Sequence, residues 1–299
     1  MQLSFAKSSF AVVGCGKLGS ALAGQLVKAG YRPEGFASRS RSSAEKAARA
    51  ANIDRFGTIP WEITVSADIV FITTPDDSIS DTCKEIAKNN GFKNNSIVMH
   101  CSGSLPSTIL SVSESLAVAT GSMHPLQSFA AITKGTNPFE GINIAVEGES
   151  SAVEKAKEIA RNLNANSFTI KTDAKTLYHA SAVVASNYLV TLQGMAFKLI
   201  EAAGISPDDA FNVLGPLIEG TVSNIKKTGI KDALTGPIVR GDMETVKEHI
   251  KEISEKTPEL VHLYKILGIY TVKVAEDKGS LSENISRQLR EILLYDYQQ

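Results

Sequence analysis

Phe10-Ala-Val-Val-Gly-Cys-Gly-Lys-Leu-Gly-Ser20 is the stretch whose reading decides the fold. Its first four residues are a short apolar run stopped by a glycine, the pattern of a strand buried on both faces. Gly14, Gly16 and Gly19 follow with the spacing G-x-G-x-x-G, and residues 20–28 read as a helix ended by Gly30. Strand, glycine turn and helix in that order form the context in which this spacing signals a dinucleotide site. The first glycine permits the tight turn. The second lets the backbone approach a pyrophosphate, and the third lets helix and strand pack closely. The helix start adds N–H groups and a positive dipole end for the phosphates. Cys15 is read as a small residue lining the turn.

Working outward, strands are expected at 31–38, 68–74, 96–101, 116–122, 142–146 and 168–170, with helices at 43–51, 80–89 and 151–163. Pro75-Asp76-Asp77 is read as the stop of the third strand. Strict alternation requires crossovers, and crossovers imply a mostly parallel, doubly wound α/β sheet of Rossmann type. Beyond residue 172 the pattern changes. Residues 173–203 read as one helix, roughly 45 Å long at 1.5 Å per residue. Ser206-Pro207-Asp208-Asp209 starts the next, with a capping serine, proline at the first position and acids in the first turn. Further helices are expected at 209–225, 242–253, 259–277 and 282–294. The reading is therefore a dinucleotide-binding Rossmann-like domain over 1–170 and an all-α domain over 171–299.

Composition agrees with two domains, since 299 residues at about 150 per domain is the length of two. Thirty-one basic side chains against 32 acidic ones leave a net charge of −1, which argues against binding nucleic acid through blanket positive charge. Hydrophobic residues at 43% and charged residues at 21% exclude a mainly disordered chain. No uninterrupted run of eighteen apolar residues occurs, so no membrane span is expected. Cys15, Cys83 and Cys101 are too few and too scattered for a disulfide framework or a zinc site, which suits a reducing, cytoplasmic setting. No metal is expected.

The end of the second strand decides which dinucleotide fits. An NAD site places an acid about twenty residues after the glycines, on the ribose 2′-OH. Here the sequence is Phe36-Ala-Ser-Arg-Ser-Arg-Ser-Ser43, with no acid before Glu45. Serines and arginines suit a 2′-phosphate through charge-assisted bonds, so NADP is the expected cofactor. The residues expected to hold it are Gly14, Gly16, Lys17, Leu18, Gly19, Ser38, Arg39 and Ser40, with Arg41 beside them. Loops at the carboxyl ends of the next two strands add Thr74, Pro75 and Ser78, then Cys101, Ser102 and Gly103 near the nicotinamide.

Five histidines are candidates for the chemistry. His100 sits in an apolar strand and reads as a core residue, His249 lies in a charged helix and reads as solvated, and His262 reads as packing. His124 follows a strand and precedes Pro125, a proline that keeps the chain extended there, and is read as lying in another carboxyl-end loop. It is a candidate proton donor at neutral pH, with Gln127 nearby. His179 lies on the long helix, sharing a face with Lys175. Asn187, eight residues on, belongs to another part of the site, and Arg240, in Thr235-Gly-Pro-Ile-Val-Arg-Gly-Asp242, is a candidate clamp for a carboxylate. His124, His179, Asn187 and Arg240 are the four catalytic candidates. Asp242 is read as the cap of the following helix.

Taken together, GCGKLG (14–19), HPLQSF (124–129), YHASAVVASNYLV (178–190) and LTGPIVRGD (234–242) resemble the signatures of a bacterial family described as NADP oxidoreductases. That family combines a Rossmann-like domain with a C-terminal helical domain of unknown function. The resemblance covers essentially the whole chain. It extends more distantly to pyrroline-5-carboxylate reductase and the β-hydroxyacid dehydrogenases, and implies a helical domain of the 6-phosphogluconate-dehydrogenase type. It also implies a homodimer through that domain, and a substrate cleft between the domains. The catalytic lysine of the β-hydroxyacid dehydrogenases falls on His179 and their asparagines on Ala182 and Val183, so that machinery is not carried over. The G-P-A-Y segment of pyrroline-5-carboxylate reductase falls on Ala185-Ser-Asn-Tyr188, keeping the tyrosine and losing the proline. The His124–Pro125 pair is similar to one in prephenate dehydrogenases. The expectation is an NADP(H)-dependent oxidoreductase acting on a small polar C=O, C=N or C–OH compound. Two alternatives stand beside it: an NADP-binding sensor or scaffold without turnover, and an imine reductase of the pyrroline-5-carboxylate type.

Overall fold

The structure is a computed structural model that describes residues 7–110, 117–129 and 136–294. Leu116, expected to open a strand, lies outside the described residues. The chain divides into two compact units, Met1–Ala185 and Ser186–Gln299.

The first unit is a doubly wound α/β domain. In chain order it holds β1 (Ser9–Val13), α1 (Lys17–Lys28), β2 (Arg32–Ala37), α2 (Arg41–Ala50), β3 (Phe56–Gly57), α3 (Pro60–Thr64), β4 (Ile69–Ile72) and α4 (Asp76–Lys88). Then come β5 (Ile97–His100), a short 3-10 turn at Ser107–Ile109, β6 (Ala119–Pro125), β7 (Asn143–Gly148), α5 (Ser150–Asn162), β8 (Asn166–Thr169) and α6 (Lys175–Val183). The sheet order is β3-β2-β1-β4-β5-β6-β7-β8. Every pairing is parallel except β6 with β7.

Alternation along the strands builds a core on each face, because successive side chains point to opposite sides. Phe10, Val12, Phe36, Phe71 and Met99 pack with Leu22 and Leu26 of α1, the alanines of α2 and Ile159 of α5. Ala11, Val13, Val70, Ile72 and Val98 pack on the other face with Ile63 of α3 and Ile79, Cys83 and Ile86 of α4. β1 has β2 on one side and β4 on the other. Chain direction across the sheet reverses there, and a crevice opens at the carboxyl ends of these strands.

Two local readings change. α4 begins at Asp76, four residues before the expected start. Pro75 stands at its N-cap with Asp76 and Asp77 in the first turn, where acids meet the positive dipole end. Pro75-Asp76-Asp77 is thus a helix start as much as a strand stop. His124 lies inside β6, opposite Ala145 of the antiparallel β7, and not in a loop beyond the strand.

Helical turns continue from Lys175 through a wider, π-type segment at Val184–Tyr188 into α7 (Leu189–Ala202), the kind of irregularity that often marks functional helices. The helix Thr172–Ala202 is the one stretch of the described residues long and apolar enough to cross a membrane, with mean hydropathy 1.3. The second unit adds α8 (Ala210–Ala233), α9 (Pro237–Arg240), α10 (Met243–Lys256), α11 (Val261–Lys278) and α12 (Glu283–Leu294). No strand occurs among its described residues. α8 runs past the expected end at 225 and breaks at Gly229, whose φ is +80°. Asp242 caps α10 as expected, accepting the Thr245 N–H at 3.1 Å. Its core joins Ile238, Val246, Ile250, Val272, Leu289 and Leu293. His249 is exposed, with Nδ1 2.8 Å from the Tyr264 hydroxyl. His262 is exposed rather than packed, because it faces out of α11 while Lys265 and Gly268 face in.

Candidate active site

The glycine turn is locked to β4. Gly14 has φ +104°, and a Cβ there would come within 2.6 Å of the Thr73 and Thr74 backbone. The Thr73 hydroxyl donates to the Gly14 carbonyl at 2.6 Å, and the Gly14 N–H donates to Ala37 of β2 at 2.8 Å. A Cβ on Gly19 would strike the Gly14 carbonyl, so this glycine is required for packing and not for ligand contact. Gly16 is the opposite case, with nothing within 4 Å of the site of a Cβ. Its backbone borders open space.

That space is a cavity of about 660 Å³ at the carboxyl ends of β1, β2 and β4. Of the expected cofactor residues, Gly14, Gly16, Lys17, Leu18, Ser38, Arg39, Ser40, Thr74, Pro75 and Ser78 line it, together with Cys15. Thr58, Pro60 and Thr82 also line it and carried no signal in the sequence. The Thr74 hydroxyl is buried with no hydrogen-bond partner, and buried polar groups without partners are rare enough to need a reason. Arg41 does not line the cavity; its guanidinium lies 5.3 Å from the centre of the Phe56 ring. Ser40 also caps α2 by accepting the Ser43 N–H at 3.4 Å. Burial pushes the Cys15 thiol up to about 11, which leaves it a small packing residue of the turn.

Cys101, Ser102 and Gly103, after β5, lie outside that lining and form a second locus. Cys101 is buried and its thiol is pushed up to about 12 by desolvation. The Ser102 and Ser104 hydroxyls both donate to Asp76 Oδ2 at 2.8 Å. Asp76 therefore ties this loop to the start of α4. Gly103 is packed under two histidines, for a Cβ on it would lie 2.5 Å from His179 Nδ1 and 2.8 Å from His124 Nε2. The two rings meet edge-on at 6.0 Å, and His179 Nδ1 is buried without a partner. His124 Nδ1 is 2.9 Å from the Tyr178 hydroxyl. Burial, then the positive charge of Lys175, holds the His124 pKa down at about 4.

Lys175 is itself buried, bonded to the Ser122 hydroxyl and 3.3 Å from Glu147 Oε1. Ser122 and Glu147 face each other across β6 and β7. Glu147 also accepts the Ser107 N–H at 2.9 Å, the Ser107 hydroxyl at 2.7 Å and the Thr172 hydroxyl at 3.0 Å. Three donors and the Lys175 charge outweigh its desolvation and hold its carboxyl below the usual range. Desolvation pushes Lys175 downward. The pair pins the first turn of α6 to the sheet and so brings Tyr178 and His179 beside His124. Tyr178 and Glu147 escaped the sequence reading. Neither Lys175 nor Glu147 carried a clear signal, since Lys175 stands among Lys171, Thr172, Asp173 and Thr176, and Glu147 is followed by Glu149.

His100 is a core residue whose Nδ1 accepts the Ser102 N–H at 3.1 Å. Gln127 is exposed, with its amide oxygen turned back onto the Ser128 N–H. Asn187 and Arg240 belong to the second unit and are exposed. Arg240 lies 3.9 Å from Asp242.

Residues 2–125 match the Rossmann-like domain family, and residues 142–271 match a domain of unknown function, DUF2520. No curated protein matches the chain. The fold is similar to the crystal structure of a "putative NADP oxidoreductase" from Bacteroides fragilis, with TM-score 0.72 and 21% identity over 97% of this chain and 100% of that one. It is also similar to a protein from Thermotoga maritima, with TM-score 0.70 and 26% identity over 90% of this chain and 99% of that one. An imine reductase from Myxococcus stipitatus in complex with NAD+ is more distant, with TM-score 0.59 and 13% identity over 95% and 99% of the two chains. The chain thus joins a Rossmann-like domain to a domain of the DUF2520 family.

Proposed function

We propose that the protein is an NADP(H)-dependent oxidoreductase acting on a small polar compound with a C=O, C=N or C–OH group. The observation that carries this reading is the cavity over the glycine turn. It has an open edge at Gly16, an unpaired buried hydroxyl on Thr74, and Ser38, Arg39 and Ser40 at its rim. These residues fit a dinucleotide. The Gly16 backbone and the first turn of α1 suit the pyrophosphate. The serines and Arg39 suit a 2′-phosphate, with no carboxylate at the end of β2 to oppose it. A bound nicotinamide supplies the hydride chemistry. The chain supplies the groups around His124 and His179, which orient a substrate and hold a proton. The oxidoreductase names among proteins of similar fold support the same class. Asn187 and Arg240 remain candidates for substrate contact, with Arg240 suited to a carboxylate.

The test is a fluorescence titration with NADPH and NADH. Tighter NADPH binding, weakened by Arg39→Ala, is expected; equal or tighter NADH binding overturns the NADP assignment. A panel of imines, keto acids and hydroxy acids then tests turnover. NADPH binding with no turnover on the whole panel favours a sensor.

We also propose that the helical unit forms a homodimer. Val190, Phe211, Leu217, Ile230 and Tyr270 are each at least 59% exposed, large apolar side chains that a second copy of the chain would cover.

A further inference from the structure

The Tyr178–His124 contact has a direction that elementary acidity decides. A phenol is a stronger acid than the N–H of a neutral imidazole, and a bare imidazole nitrogen is a stronger base than a phenol oxygen. A hydrogen bond between the two neutral groups therefore runs from O–H to nitrogen. Both groups are neutral near pH 7: burial and Lys175 hold His124 down at about 4, and burial pushes Tyr178 up to about 12. The charged and titratable groups facing His124 are Lys175, Tyr178 and His179 from α6 and Asp76 from the start of α4. The one carboxylate among them, Asp76, accepts the Ser102 and Ser104 hydroxyls at Oδ2, and the group at His124 Nδ1 is the Tyr178 hydroxyl. The rings of His124 and Tyr178 also meet edge-on at 5.7 Å, which holds the imidazole plane. Nε2 faces Gly103, where any side chain would cover it.

We propose that Tyr178 is the positioning residue of His124: its hydroxyl donates to Nδ1, fixes the Nε2–H tautomer, and makes His124 a neutral hydrogen-bond donor at Nε2. The bond made by one imidazole nitrogen decides which proton the other presents, and a neutral imidazole is a known polariser of carbonyl groups. Such a donor suits a substrate that presents an acceptor atom, a carbonyl oxygen or an imine nitrogen. It does not suit a hydroxyl group awaiting a base. The substrate half of this inference rests on the oxidoreductase reading; the tautomer half does not.

The experiment is long-range proton–nitrogen NMR on the 15N-labelled full chain at neutral pH, without coenzyme. His124→Gln identifies the His124 signals. In the wild type, Nδ1 is expected as the unprotonated nitrogen and Nε2 as the protonated one. Tyr178→Phe should move Nδ1 toward the averaged position of a free imidazole, while NADPH titration checks that the coenzyme cavity is intact. A wild-type proton on Nδ1, or an Nδ1 signal unmoved by Tyr178→Phe, overturns the proposal. If Tyr178→Phe fails to fold, Tyr178→Trp, which keeps a ring but places its donor elsewhere, takes its place with the same outcomes. Failure of NADPH to bind the wild type would remove the oxidoreductase reading and leave the tautomer result standing.

Discussion

Gly103 carries no side chain, and two imidazoles fill the space that a methyl group would need. Gly103→Ala must push His124 or His179 aside, and forced overpacking of this kind costs about 1–3 kcal/mol. A urea melt is expected to show that loss, while NADPH titration of the glycine-turn cavity stays close to wild type. An unchanged melt would mean that the histidines yield freely. His100 and His124 give a second prediction, because both are held at about 4 against an ordinary 6.5. Above 6.5 both are neutral in folded and unfolded chains and contribute no pH dependence. As pH falls from 6.5 toward 4, the unfolded chain takes up protons that the folded chain refuses, so stability falls. Each histidine steepens that loss by at most about 1.4 kcal/mol per pH unit. Urea midpoints measured down this range should drop, and drop less steeply in His124→Asn. At this scale the sequence named both histidines. It did not join them, because β6 and α6 are separated by about fifty residues of chain and only packing brings them together. Tyr178 went unread because a tyrosine beside a histidine on a helix has no periodic signature; its role depends on where the helix docks.

At the scale of elements, one ion pair decides that docking. Removing Lys175 alone would leave Glu147 charged, buried and short of its counter-ion, a defect that typically costs about 3–5 kcal/mol. Lys175→Met is expected to show a loss of that order by thermal or urea unfolding. Lys175→Met combined with Glu147→Gln should recover much of it, since no bare charge remains. A single variant as stable as the wild type would show that the pair does not pin α6. Strand and helix types were legible because hydrophobic periodicity is local. The antiparallel β6–β7 step was not legible, because pairing direction is set by the chain's path and not by side-chain alternation. The early start of α4 was in the sequence all along: Pro75-Asp76-Asp77 is proline followed by first-turn acids.

At the scale of the whole molecule, exposed apolar surface on the helical unit is the feature on which the proposed dimer rests. Val190, Leu217 and Tyr270 are 71%, 67% and 70% exposed. Sedimentation equilibrium should give twice the 31.9 kDa chain mass, and charged substitutions at Leu217 and Tyr270 should shift it toward monomer. A wild-type monomer at micromolar concentration would refute the dimer. The cavity over the glycine turn belongs to this scale as well. Ten expected residues from three separate loops line one space, because parallel strands all end on the same side of the sheet.

The sequence by itself determined the element types, the doubly wound α/β class, the glycine turn and ten of the residues that line the cavity above it. Each of these follows from periodicity or from the backbone demands of particular residues over short spans. Only the tertiary structure decided that Lys175 inserts between Ser122 and Glu147, that Asp76 holds the Ser102–Ser104 loop, and that Tyr178 meets His124 above Gly103. Those contacts join residues far apart in the chain. They exist because a buried charge or polar atom must find a partner within the fold, and spacing along the chain does not reveal which partner that is.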